Sequence, residues 1–246
     1  MRTLGAVETM ARLIRLWKPF GVLSQFTDGE GRPTLADLVP VPGVYAAGRL
    51  DMDSEGLLLL TDSGALQARL ADPRHHVRKR YLAFVETPPS PERLAELRAG
   101  VRLRDGVARA LSVRCVADPA LPPRDPPPAP RPGRETGWVE IEVDEGRNRM
   151  VRRMLAAAGS PVLRLVRTAV GDFTLEGLAP GQHDERALHA PVAAPRGRAP
   201  GRTRRQAGVR KSTGSRPRPP RGRRRGTRSS APRRSGVPSS RTPRAS

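Results

Sequence analysis

The chain has 246 residues, 45 Lys and Arg against 24 Asp and Glu, and a formal net charge of +21. That length allows one domain or two, and that charge makes a polyanion the first partner to consider. A single cysteine, Cys115, excludes an intrachain disulfide and a cysteine-based zinc or iron–sulfur site, and no apolar run approaches the roughly 20 residues of a membrane-spanning helix.

Residues 1–10 carry no clear pattern and are expected to be disordered; they lack the apolar stretch of a secretory signal, so a cytoplasmic setting is expected. Residues 12–17 alternate polar and apolar, as a half-buried strand does. The break at Lys18-Pro19-Phe20-Gly21 follows, and 34–38 suits one helical turn. The apolar run 56–61 predicts a buried strand, and 65–71 a short helix stopped by Pro73. Residues 80–86 alternate again. Ser90-Pro91-Glu92 is a helix start, with a capping hydroxyl, a proline at the first position and an early acid; Gly100 closes that helix. Residues 111–117 and 138–143 predict paired strands. Between them, 118–137 holds eight prolines in twenty residues, a loop or an insertion. Asn148 is placed to cap a helix running to Ala158, with Gly159 and Pro161 as stops, and 162–167 predicts the final strand. The sum is a mixed α+β domain over 11–192, rich in strands and poor in helices.

The charge is concentrated at one end. Residues 196–246 hold 18 of the 45 basic residues and no acid, which leaves 27 basic against 24 acidic groups elsewhere, a net of +3. This segment also lacks aromatics, Leu, Ile and Met. It cannot bury enough apolar surface to offset an ordering entropy of about 1–2 kcal/mol per residue, so 193–246 is read as a disordered basic tail. Two readings of it stay open: an arm that grips phosphates, or a tolerated low-complexity extension.

The chemistry concentrates in Gly48-Arg49-Leu50-Asp51-Met52-Asp53-Ser54-Glu55-Gly56-Leu57-Leu58-Leu59-Leu60-Thr61. Asp51, Asp53 and Glu55 alternate directly before the buried strand. In an extended segment they would point to one side and repel unless matched by arginines, a metal or solvent. A calcium loop is excluded, because four leucines fall where ligands and solvent belong. A glycosidase carboxylate pair needs an aromatic-lined cleft, and the chain has eight aromatics in all. Adjacent His75 and His76 alone make a poor metal site, so no metal ligand is assigned.

The same segment, with Gly48-Arg49-Leu50-Asp51, Ser54-x-Gly56 and the leucine run to Thr61-x-x-Gly64, resembles the signature of RNA pseudouridine synthases, of the branch that modifies ribosomal RNA. Four further blocks agree in order and spacing: Leu16-x-Lys18-Pro19, the Lys79-Arg80-Tyr81 strand, Glu145-Gly146-Arg147-Asn148-Arg149-Met150-Val151-Arg152-Arg153-Met154, and Leu165-Val166-Arg167-Thr168. Together they span about 12–190. The opening block is most similar to members that act on 23S, large-subunit RNA. Many relatives carry an N-terminal RNA-binding domain, for which this chain has no room ahead of the first block.

The resemblance implies a mainly antiparallel mixed sheet with a central RNA-binding cleft, and isomerisation of a uridine with neither cofactor nor metal. It implies Asp51 as the catalytic carboxylate, Arg152 as its basic partner by position, and Tyr81 stacked on the target base. It further implies Leu165 packed against Tyr81, and Arg49, Arg147 and Arg149 in contact with RNA. Met150 stands where this block has a polar residue, usually glutamine. A monomer acting on large-subunit ribosomal RNA, away from membranes, is expected. The alternative is an RNA-binding or ribosome-assembly protein on the same fold with little catalysis.

Overall fold

A computed structural model describes residues 8–191. The segment read as a basic tail, 193–246, lies outside the described residues, as do 1–7.

Strand β1 (Glu8–Lys18) opens the chain. It takes in the last three of the ten residues expected to be disordered. After a 3-10 turn at Leu35–Asp37, closed by reciprocal Thr34 and Asp37 caps, come β2 (Tyr45–Ala46) and β3 (Glu55–Thr61). Helix α1 (Gly64–Ala71) starts where the Ser63 hydroxyl accepts from the Leu66 N–H and stops at Asp72-Pro73. Strand β4 (Lys79–Glu86) leads to α2 (Pro91–Ala99), capped by Ser90 as its sequence demands. A hairpin follows, β5 (Val101–Leu103) and β6 (Gly106–Ala108); the sequence reading missed it. Strands β7 (Ser112–Val116) and β8 (Thr136–Val143) pair antiparallel as expected, with the proline-rich loop between them. Helix α3 (Met150–Ala157) precedes β9 (Val162–Val170). The expected final strand is therefore β9, yet β10 (Phe173–Thr174) and β11 (His183–Pro191) follow it.

The main sheet runs β11-β1-β3-β9-β4-β8-β7. Every neighbour pair along it is antiparallel except β3–β9, which is parallel and registers only Glu55 with Val166 and Gly56 with Arg167. This is the mixed, mainly antiparallel sheet expected. Helix α1 packs Leu66 and Leu70 on one face, against Leu57, Leu59 and Val166. Helices α2 and α3 pack on the other, against Leu58, Leu60, Ala83 and Ile141. Because β3 is covered on both faces, all seven of its residues are buried, and its leucines run without alternation.

The proline-rich loop is tied down at two points. The buried Glu86 carboxylate accepts from the Arg131 backbone N–H at 2.8 Å and from Arg131 Nε at 2.7 Å. The Arg124 guanidinium lies 4.4 Å over the Phe20 ring.

Candidate active site

The segment 48–54 enters β3 as a loop, and Asp51 owes its position to the residues on either side of it. The buried Ser24 hydroxyl donates to the Leu50 carbonyl at 2.7 Å and accepts from the Leu50 N–H at 3.1 Å. The Gly21 N–H donates to the Met52 carbonyl at 2.8 Å, and the Ser54 N–H closes a turn onto the Asp51 carbonyl at 3.0 Å. The Leu50 side chain sits in the core. Beneath this loop the fully buried Lys18 amine donates to the carbonyls of Pro19 and Val22, at 2.8 and 2.7 Å, which shapes the stretch that carries Gly21 and Ser24. Burial pushes that amine down to about 8, against the attraction of Glu55, Asp53 and Asp51.

The segment turns at 51–54 and does not run extended, so the three carboxylates do not share one side. They part company instead. Glu55 points into the core and takes a bidentate bond from Arg164, at 2.9 and 2.8 Å, with both side chains about 95% buried. Asp53 takes a bidentate bond from Arg149, both at 2.8 Å. Burial raises the Asp53 carboxyl, but Arg149 and Arg152 outweigh it and hold the group below its ordinary range. Of the three, only Asp51 lines the cleft, and its one ion-pair contact among the described residues is a longer 3.4 Å approach to Arg149 Nη1.

The cleft encloses about 340 Å³. Its floor is the β4–β9 pair, in which Tyr81 stands directly opposite Arg167 and Leu165 lies one alternate position along the strand. Tyr81 and Leu165 share the same core cluster and both line the cleft. Arg49 is exposed at its edge. The opposite wall is 145–151, where the chain turns into α3.

Three residues of the 147–153 block are placed differently from expectation. Arg152 does not hydrogen-bond Asp51. Its Nη2 donates to the Asp53 carbonyl at 2.7 Å and to Ser54 Oγ at 3.2 Å, and its Nη1 to the Val162 carbonyl at 3.2 Å. The cation that reaches Asp51 is Arg149, one helical turn earlier. Arg147 is not open to phosphate either. Its two terminal nitrogens bond the Asp105 carbonyl and carboxylate, the Val107 carbonyl and Glu145, which pins the β5–β6 hairpin to the cleft wall. Asn148 does not cap α3: the cap position is Arg149, in a left-handed conformation with φ 47° and no capping side chain. Met150 is buried against the core at the start of α3, so an apolar side chain fits there.

Two residues of the cleft carried no assigned role in the sequence reading. Lys79 is largely buried and donates to the Val77 carbonyl at 2.7 Å. Arg167 is buried and donates to the carbonyls of Leu57 at 2.8 Å and Arg49 at 3.3 Å. The signal was present: Lys79 stands two residues before Tyr81, and Arg167 two after Leu165, the spacing that shares a strand face. Among the described residues, no group of three His, Cys, Asp or Glu is placed to hold a metal ion, and no helix is long and apolar enough to cross a membrane.

Known proteins resemble this chain over most of the described residues. The family described as RNA pseudouridylate synthase matches residues 12–157. The ribosomal large subunit pseudouridine synthase E of Xanthomonas axonopodis is 56% identical over 172 residues, which cover 68% of this chain and 90% of the relative. That of Vibrio vulnificus is 50% identical over 177 residues, 72% of this chain and 76% of the relative. Among solved structures, one titled as a pseudouridylate synthase aligns with a TM-score of 0.56 at 28% identity, covering 74% of this chain and 71% of its own.

Proposed function

The chain belongs to the RNA pseudouridylate synthase family, and we propose that it isomerises one uridine of large-subunit (23S) ribosomal RNA to pseudouridine, with Asp51 as the catalytic carboxylate. The relatives named for the large ribosomal subunit support the substrate class. The observation that carries the role of Asp51 is the division of the three carboxylates: Glu55 and Asp53 are each held by a bidentate arginine, and Asp51 faces the cleft.

In the reaction the bond from ribose C1′ to N1 breaks, the base turns, and C1′ joins C5. The C5 proton leaves and N1 gains one, so atoms balance without redox change or water. As the C1′–N1 bond opens, C1′ takes on positive character, which an adjacent ionised carboxylate stabilises. Arg149 holds the loop through Asp53 and approaches the Asp51 carboxylate at 3.4 Å. Tyr81 offers a ring for the extruded uracil, with Leu165 beneath it. Its hydroxyl would assist departure of the C5 proton. Extrusion from the RNA stack costs a few kcal/mol, which backbone contacts offset. The enzyme acts as a monomer on cytoplasmic ribosomal RNA.

The test is Asp51→Ala and Asp51→Asn on a 23S transcript, read by pseudouridine mapping. Both variants should retain RNA binding and form no pseudouridine. Modification at the wild-type rate by either would overturn the role of Asp51. Wild-type protein that binds the transcript without modifying it would point to the non-catalytic alternative.

A further inference from the structure

The two walls of the cleft spend their cations differently. On the α3 side, Arg147 and Arg153 are locked to Asp105, and Arg149 to Asp53. Little positive charge remains there for a ligand. On the floor, Lys79 and Arg167 are both at least nine-tenths buried, both line the cleft, and neither makes an ion pair among the described residues. Each bonds only backbone carbonyls. Lys79 has used one of three ammonium donors, and the Nη2 group of Arg167 has no protein acceptor among the described residues.

Two like charges so placed oppose each other. Burial lowers the Lys79 amine, Arg167 lowers it further, and Asp144 only partly compensates. A buried cation pair without a carboxylate is costly unless something anionic completes it. Both flank Tyr81, one along its own strand and one directly across from it on β9. The missing negative charge therefore belongs beside the base-stacking position.

Resting on the reading of the chain as a pseudouridine synthase, we propose that Lys79 and Arg167 form an anion subsite for a phosphodiester flanking the target uridine. A phosphate is the one anionic group that every RNA brings within a nucleotide of the extruded base. Spare donors from an ammonium and a guanidinium suit its non-bridging oxygens. The subsite would fix the register of the nucleotide over Tyr81, with Arg49 at the edge taking the strand onward.

The test combines protein and substrate changes. Lys79→Met should weaken binding of an RNA fragment carrying the target about tenfold, and flatten the dependence of log Kd on log salt by about 0.7–1 unit, one phosphate contact. Lys79→Arg should restore most of both. Arg167→Met is measured alongside thermal melting, because Arg167 also bridges to β3. The substrate arm requires no variant: a neutral methylphosphonate is placed at the linkage 5′ or 3′ of the target uridine. One of these should weaken wild-type binding about as much as Lys79→Met does, and weaken the Lys79→Met protein little further. Wild-type affinity unchanged by both neutral linkages would overturn the proposal, as would a Lys79→Met defect that adds in full to them. Pseudouridine formation by the wild-type enzyme in the same samples keeps this outcome separate from failure of the proposed function.

Discussion

Gly56→Ala tests the joint on which the site depends. Gly56 has φ +105°, a region that side-chain-bearing residues rarely enter. A Cβ built there would lie 2.6 Å from the Arg167 backbone nitrogen and 2.9 Å from its carbonyl carbon, with the carbonyl oxygen closer still. The obstacle is backbone, so no rotamer change relieves it. The parallel β3–β9 pairing registers only at this position and its neighbour, so the two halves of the sheet must separate or Gly56 must change conformation. Strain of about 1–3 kcal/mol for the dihedral and about 1–3 kcal/mol for overpacking sum to roughly 2–6 kcal/mol. That is a large part of a typical total stability of about 5–15 kcal/mol. At about 2–4 °C per kcal/mol for a domain of this size, the melting midpoint should fall by roughly 4–24 °C. Circular dichroism melts of the two proteins at equal concentration measure this. A midpoint within about 2 °C of wild type would refute the claim that close approach to Arg167 explains this glycine.

Two further outcomes concern buried charge. Glu55→Ala should cost about 3–5 kcal/mol in denaturant unfolding because it strands Arg164, whereas the double change Glu55→Leu with Arg164→Met should recover most of that loss; a single variant as stable as wild type would contradict the pairing. Lys18 gives a pH signature. Its folded value near 8 lies below the ordinary 10.5, so between those values the unfolded chain keeps a proton that the folded chain has released, and stability rises with pH. Relative to Lys18→Met, the wild type should gain about 3 kcal/mol from pH 8 to pH 10.5; a flat difference across that window would show that the amine is not strained by burial.

The strands legible in the sequence are those whose chemistry is local. Alternation marked β1 and β4, the leucine run marked β3, and Ser90-Pro91 marked the start of α2. Strand β11 escaped because it begins His183-Asp184-Glu185-Arg186, and an edge strand that pairs only with β1 can stay polar. The hairpin at 101–108 escaped because each strand is three residues long. At the site, residue identity was legible and pairing was not. Four arginines between 147 and 153 look equivalent in the sequence. What separates them is the left-handed turn at Arg149, which aims it at Asp53 and Asp51, and Asp105, some forty residues away, which takes Arg147 and Arg153.

The spacing of Asp51, Asp53 and Glu55 suggested a shared face, and the turn at 51–54 explains why the reaction needs something else. Three anions on one face would repel one another. Sending Glu55 inward to Arg164 and Asp53 sideways to Arg149 removes two of those charges by bidentate pairing. The third then faces a floor bearing Lys79 and Arg167, both without carboxylate partners among the described residues. The cleft lining thus sets Lys79 and Arg167 against Asp51, while the Glu145 carboxylate in the same lining is taken up by Arg147. Under the proposed function a nucleotide would answer both: its phosphate the floor, and the positive character growing at C1′ the carboxylate of Asp51. On that reading, both are answered together once the base has left its stack with its ribose at Asp51.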